Sequence, residues 1–232
     1  MGLAFVSGAS RGLGREVARG LIAAGHEVIG ISLDPNRANT AGSELGITFE
    51  TADLSDVAQA RKLSERLLSK YGVPQIVVLA HGVMSEKMAK TLRTTDTEWA
   101  RVMNINLNSV FTLVNGLGAP MAEARNGRIV VFSACLGRMS GPGNAGGLAP
   151  YRISKAGVNA FVRNLAHETG LGARGFYVDA ICPNHSRTDM GGADAPRSAE
   201  EGAECAVWLA TREFNAGDTT GVLWEDRQIV QW

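Results

Sequence analysis

The chain has 232 residues, 45% of them hydrophobic and 20% charged, with 23 Lys and Arg balancing 23 Asp and Glu. That suits one globular domain with a large core, and zero net charge leaves no basic field to attract nucleic acid or an anionic membrane surface. Three cysteines, Cys135, Cys182 and Cys205, are too few and too scattered for a disulfide framework or a zinc site, so no metal and a reducing, cytoplasmic setting are expected.

The N-terminus enters an apolar run at once, with no basic segment before it, and the run is too short for a signal peptide or a membrane span. Strand-like runs recur at residues 3–7 (LAFVS), 27–33 (EVIGISL), 47–50 (ITFE), 75–80 (QIVVLA), 128–133 (RIVVFS) and 176–182 (FYVDAIC). They are continuously apolar rather than alternating, as parallel strands covered on both faces require. Segments with helical period lie between them, at 14–24, 55–70, 96–116, 150–169 and 198–211. Ser55 reads as an N-cap, and Gly25 and Gly72 as stops. The alternation predicts an α/β fold, a doubly wound parallel sheet (Rossmann fold) in a single domain. No internal repeat or linker divides it.

The first strand runs into SGASRGLG, residues 7–14. Gly8, Gly12 and Gly14 open the first helix, where glycines permit a tight turn and let free N–H groups approach a pyrophosphate. Further on, Tyr151 and Lys155 stand four residues apart and share one helix face. A free phenol ionises near pH ~10, and a neighbouring ammonium favours the phenolate, so the pair is able to exchange protons with a carbonyl.

These two motifs, with Asp53-Leu54 after the third strand, Asn106 in NINLNS and Pro183-x-x-x-x-Thr188, resemble the short-chain dehydrogenase/reductase family over essentially the whole chain. The C-terminal part resembles the carbonyl-reductase-like branch. The resemblance implies a seven-stranded Rossmann sheet, an NAD(P)(H) cofactor and alcohol–carbonyl interconversion on a small-molecule substrate. It also implies a homodimer or homotetramer built on the long helices. By the same resemblance Gly8, Ser10, Arg11, Gly12, Leu13 and Gly14 form the pyrophosphate loop. Asp53 and Leu54 hold the adenine, Ala80 and Gly82 let the backbone approach the cofactor, and Pro183 and Thr188 lie at the nicotinamide. Tyr151 is the acid, Lys155 tunes it and bonds the nicotinamide ribose, and Asn106, at a helix irregularity, completes the proton path.

The second strand carries Ser32 where an NAD-selecting carboxylate is expected, with Asp34 two places on. Arg11 offers a guanidinium suited to the 2′-phosphate, so NADP(H) is favoured and NAD(H) remains an alternative. Arg37 reads as a helper or as a solvated cation.

Three departures surround the expected pocket. The family's substrate-binding serine aligns with Ala134, which cannot donate, leaving Ser133 as the nearest substitute and Ser140 as a second. His81 replaces an asparagine after the fourth strand. Asn184, His185 and Ser186 follow Pro183 where a glycine and bulky apolar residues are usual. Residues 184–197 and 141–150, with Met139, Leu148 and Met190, are expected to shape the pocket. The main expectation is an NADPH-dependent reductase. The alternatives are a lyase, dehydratase or epimerase using His81 or His185, and a dinucleotide-binding protein without catalysis.

Overall fold

The computed structural model describes residues 2–86, 90–141, 146–215 and 217–232. Strand and helix alternate through β1 (Leu3–Ser7), α1 (Gly12–Ala23), β2 (Glu27–Ser32), α2 (Pro35–Leu45), β3 (Thr48–Thr51), α3 (Val57–Tyr71) and β4 (Ile76–Leu79). There follow α4 (Asp96–Met103), α5 (Ser109–Glu123), β5 (Gly127–Phe132), α6 (Ala149–Glu168), β6 (Phe176–Ile181), α7 (Ala199–Thr211), β7 (Leu223–Glu225) and β8 (Gln228–Val230). They make one sheet in the order β3-β2-β1-β4-β5-β6-β7-β8. All neighbours are parallel except the β7–β8 pair. This is the expected doubly wound Rossmann sheet, extended by one antiparallel edge strand beyond the seven implied.

The sheet is buried on both faces, which explains the unbroken apolar runs. One face carries Phe5, Val77 and Ile129 against Leu63 and Leu67 of α3, Leu113 and Leu117 of α5 and Val158 of α6. The other carries Ala4, Val78 and Val130 against Val17 and Leu21 of α1 and Leu209 of α7. Burying a leucine fully contributes about 1.5–3 kcal/mol, so the two layers are the main source of stability. Among the described residues no helix is long and apolar enough to cross a membrane.

Four details differ from the sequence reading. Helix α2 was not anticipated: it buries only Ala38 and Ala41, too faint an apolar stripe to stand out, although Asp34 caps it by accepting from the N–H groups of Asn36 and Arg37. Helix α3 begins at Val57, two residues past the expected 55, because Asp56, not Ser55, accepts from the amides of Ala58 and Gln59. The expected helix over 96–116 is α4 and α5 joined by a π-helical turn, Asn104–Asn108. The β7–β8 hairpin closes through Asp226 and Arg227, both at positive φ, as a two-residue hairpin turn requires.

Candidate active site

The strand order reverses between β1 and β4, and a crevice opens at the carboxyl ends of strands at such a point. A cleft of about 720 Å³ lies there. All the expected glycine-loop residues line it, as do Asp53, Leu54, Ala80, Gly82 and Thr188. Pro183 is not in that lining; its carbonyl accepts from the Ser186 hydroxyl at 3.0 Å. The loop can fold onto the helix only with glycine at position 14, where a Cβ would stand 2.4 Å from the carbonyl oxygen of Gly8. Helix α1 has no capping side chain and no acidic residue in its first turn, so its leading N–H groups face the cleft as anion donors. The residues therefore fit a dinucleotide.

Asp53 accepts from both the amide and the hydroxyl of Ser55 through one carboxylate oxygen, which fixes the turn and holds the side chain at the cleft. At the β2 corner the Ser32 hydroxyl lies 2.9 Å from that of Ser10. Asp34 is engaged in capping α2. Arg11 pairs with Asp189, and Arg37 approaches the same carboxylate at 3.9 Å. Two guanidiniums thus converge where a 2′-phosphate is expected, with an acidic side chain between them. Asp189 had no signal in the sequence, since its partners lie more than 150 residues away.

At the other end of the site, α6 brings Tyr151 and Lys155 together. Ser85, unanticipated from sequence, accepts from the Tyr151 amide at 2.8 Å and so caps the first turn of α6 from a distant loop. Both side chains are buried. Lys155 Nζ lies 5.8 Å from the Tyr151 ring centroid and donates to the carbonyl oxygen of Phe132 at 2.6 Å. A Cβ at Gly137 would stand 2.6 Å from the Lys155 carbonyl carbon, so glycine there lets the 3-10 turn Cys135–Gly137 rest against α6.

Burial lowers the Lys155 pKa from 10.5 to about 8. Burial, with a smaller contribution from Cys182 and Cys135, raises that of Tyr151 above its usual value. The expected acidification of Tyr151 by its neighbour is therefore overturned: desolvation wins, and the phenol holds its proton at neutral pH.

Asn106 sits in the π-helical turn, fully buried. Its Oδ1 accepts from the Val83 amide at 2.8 Å, and its Nδ2 donates to the Val83 carbonyl at 2.9 Å and to Ser154 Oγ at 3.1 Å. The amide thereby clasps the segment after β4 to α6. A Cβ on Gly82 would lie 3.3 Å from Asn106 Oδ1 and 3.6 Å from Lys155 Nζ. Glycine keeps the space between amide and ammonium open.

Residues 2–199 match the family model described as short chain dehydrogenase. The 3-oxoacyl-[acyl-carrier-protein] reductase FabG of Escherichia coli K12 is 34% identical over 190 residues, covering 81% of this chain and 75% of that protein. The chain belongs to the short chain dehydrogenase family. Among solved structures, a Brucella melitensis 16M protein described as a ribose-5-phosphate isomerase superposes with a TM-score of 0.85 and 29% identity, covering 97% of this chain and 90% of that one. A blue fluorescent protein from a metagenomic library, in complex with NADPH, superposes with a TM-score of 0.82 and 26% identity over 97% of this chain and 95% of that one.

This short chain dehydrogenase departs from the expected pocket in ways the structure explains. The Ser133 hydroxyl is buried against α6, donating toward Asn159 Oδ1 at 2.5 Å and the Lys155 carbonyl at 3.2 Å. It does not take the donor position, because adjacent residues leaving a strand face opposite ways. The residue that packs with Tyr151 is Ala134. Ser140 is likewise engaged, with the Trp232 carbonyl at 3.0 Å.

His81 is a buried strut in this short chain dehydrogenase. Its Nδ1 lies 2.5 Å from Ser7 Oγ and its Nε2 lies 2.8 Å from Ser109 Oγ. Ser109 donates to the Ile105 carbonyl, so its oxygen accepts from Nε2–H and leaves Nδ1 to accept from Ser7. Burial, helped by the Lys155 charge, lowers its pKa to about 3, so the ring is neutral with both nitrogens engaged. His185 lies 2.8 Å from the Gly191 carbonyl through Nε2, a tie within its loop. Asn184 adopts φ +58, a left-handed conformation that asparagine tolerates in place of glycine. His81 has both nitrogens engaged and His185 is tied into its own loop through Nε2, which disfavours the lyase, dehydratase and epimerase alternative.

Of the expected pocket walls, Met190 lines the cleft and Leu148 packs near Tyr151, while Met139 is largely exposed. Residues 142–145, within the expected wall 141–150, lie outside the described residues.

Proposed function

We propose that the chain is an NADPH-dependent reductase of a small-molecule carbonyl, and that a 3-oxoacyl thioester is the substrate class. The observation that carries the reading is the buried Tyr151–Lys155 pair, with Asn106, beside a dinucleotide cleft. Tyr151 keeps its proton at neutral pH and donates it to the oxygen of the ketone. Lys155, cationic below about pH 8, offsets the negative charge that the phenol acquires. Asn106 holds the segment after β4, whose Gly82 keeps that side of Lys155 open. Bound in the cleft, the nicotinamide supplies the hydride. Arg11, Arg37 and Ser32 in place of a carboxylate support the 2′-phosphorylated form, and the NADPH-bound neighbour agrees. The 3-oxoacyl thioester class is supported by the coverage and identity of the FabG relatives.

The activity in the Brucella neighbour's name, isomerisation of a sugar phosphate, moves a hydrogen within one molecule with no net redox change and consumes no external hydride. Reduction uses every part of the site. Phe111 on α5 and Ile153 on α6 are exposed and apolar, which supports a homodimer or homotetramer through those helices. Three free cysteines support a cytoplasmic setting.

The test is loss of NADPH absorbance with an acetoacetyl thioester, against a panel of simple ketones, for the wild type and Tyr151→Phe. Thioester turnover that disappears in the variant is expected. Wild-type turnover by Tyr151→Phe refutes the acid assignment, and ketone turnover without thioester turnover refutes the substrate class.

A further inference from the structure

Two of the three cysteines meet beside the catalytic pair. Cys182 directly follows β6, and Cys135 opens the 3-10 turn after β5. Phe132 and Ile181 are register partners at the ends of those adjacent strands, so the turn leaving β5 passes over the end of β6. The Cys135 amide donates to Cys182 Sγ at 3.0 Å. The N–Cα bond adds at most about 1.5 Å, so the Cys135 Cα lies within about 4.5 Å of that sulfur. A disulfide spans Cα atoms about 4.4–6.8 Å apart, and with the Cys135 Cα this near the Cys182 sulfur, rotation about the two Cα–Cβ bonds swings the sulfurs toward each other.

The two thiols have different surroundings. Cys135 is partly exposed, and Cys182 is buried. The neighbouring Cys182 brings the Cys135 pKa down, and the same proximity with burial pushes Cys182 up. An accessible thiolate beside a buried partner thiol is the arrangement of an oxidant-sensing pair. Neither cysteine has a part in the proton relay. Cys205 is buried on α7 in the opposite core layer.

We propose that Cys135 and Cys182 form a peroxide-sensitive dithiol that closes to a disulfide and turns the site off. The Cys135 thiolate attacks a peroxide oxygen: an S–O bond forms, the O–O bond breaks, and hydroxide leaves to become water. The Cys182 sulfur then attacks the sulfenic sulfur: the S–S bond forms, the S–O bond breaks, and the thiol proton leaves with hydroxide as a second water. The two thiols lose two electrons, and hydrogen peroxide gains them. The bridge would pin the exit of β5, where Ala134 packs on Tyr151 and the Phe132 carbonyl holds Lys155. Misplacing a catalytic group by about 1 Å costs about 10²-fold in rate.

The test is wild-type protein treated with hydrogen peroxide, alkylated and mapped by tryptic mass spectrometry. The expected product joins peptide 129–138 to peptide 175–187 with the loss of two hydrogens, within one molecule, while Cys205 remains alkylatable and dithiothreitol restores all three thiols. Sulfinic acid on Cys135 with Cys182 still alkylatable overturns the proposal, as does a bridge between molecules or no change at all. Cys182→Ser is expected to abolish the bridge, whereas Cys205→Ser behaves as wild type. The activity arm rests on the reductase reading: turnover should fall about 10²-fold with the bridge and return with dithiothreitol. A bridged enzyme at full rate overturns the switch. A protein that reduces nothing even before oxidation refutes the reductase reading instead, and the peptide map still decides the dithiol.

Discussion

The Lys155 ammonium donates to the Phe132 carbonyl oxygen at 2.6 Å, tying the helix that carries Tyr151 to the exit of β5. The cation is thus held in a desolvated place with its pKa lowered to about 8. Because Tyr151 is raised, the first group of the pair to lose a proton on going alkaline is Lys155. We expect kcat/KM for reduction to fall as pH rises through about 8. Lys155→Met is expected to lose about 10²–10⁴-fold and to lose that alkaline limb. The sign for stability is opposite. Between pH 8 and 10.5 the unfolded chain binds the proton that the folded chain has released, so this group's contribution to stability rises with pH. Parallel pH–rate and denaturation series separate the two; a flat rate profile to pH 10 would remove Lys155 from the relay.

Ala134 packs with Tyr151 where the family's donor hydroxyl is expected. Introducing that donor as Ala134→Ser is expected to raise kcat, since one such hydrogen bond is worth about 10²–10³-fold. Steady-state kinetics on the same ketone read this directly. No gain would mean that another group already serves the oxygen.

The convergence of Arg11 and Arg37 on Asp189 makes a cofactor-selectivity prediction. Hydrogen bonds to charged groups contribute about 1.5–3 kcal/mol, so Arg11→Ala should weaken NADPH binding by about 10–10²-fold and leave NADH little changed. Asp189→Asn removes the carboxylate that competes for both guanidiniums and should strengthen NADPH binding. Titration of each variant with both nucleotides checks it, and an equal effect on NADPH and NADH would place the 2′-phosphate elsewhere.

Glu50 contributes an acid-labile part of the fold's stability. Burial alone would raise its pKa, but hydrogen bonds from Lys70, Arg66 and Tyr71 outweigh that and bring it down from 4.5 to about 2. Its contribution is complete above pH 4.5 and is lost as pH falls toward 2. Urea denaturation at stepped pH should show that loss, and Glu50→Gln should flatten it.

The fold was legible because its strands are covered on both sides and therefore leave unbroken apolar runs, as in Ile76–Leu79. Helix α2 was not, since two alanines make a faint stripe. The glycine loop and the Tyr151–Lys155 spacing were legible because both are local. What failed was non-local. The depth that raises the Tyr151 pKa is a property of packing, and the partners of His81 lie 74 and 28 residues away. The orientation of Ser133 is local, since the alternation of side chains along a strand turns it away from the side that Ala134 faces.

The π-helical turn at Asn104–Asn108 has a consequence for the rod that contains it. One extra residue advances every later side chain by about 100° relative to an unbroken α-helix. The two halves therefore present different faces: α4 turns Val102 toward the Tyr151 cluster, while α5 turns Leu113 and Leu117 toward the sheet. Deleting a single residue here would give a straighter, better bonded cylinder in which one of those seams no longer meets its partner. Regularity and chemistry make opposite demands on this one turn, and the chain has kept the irregular answer.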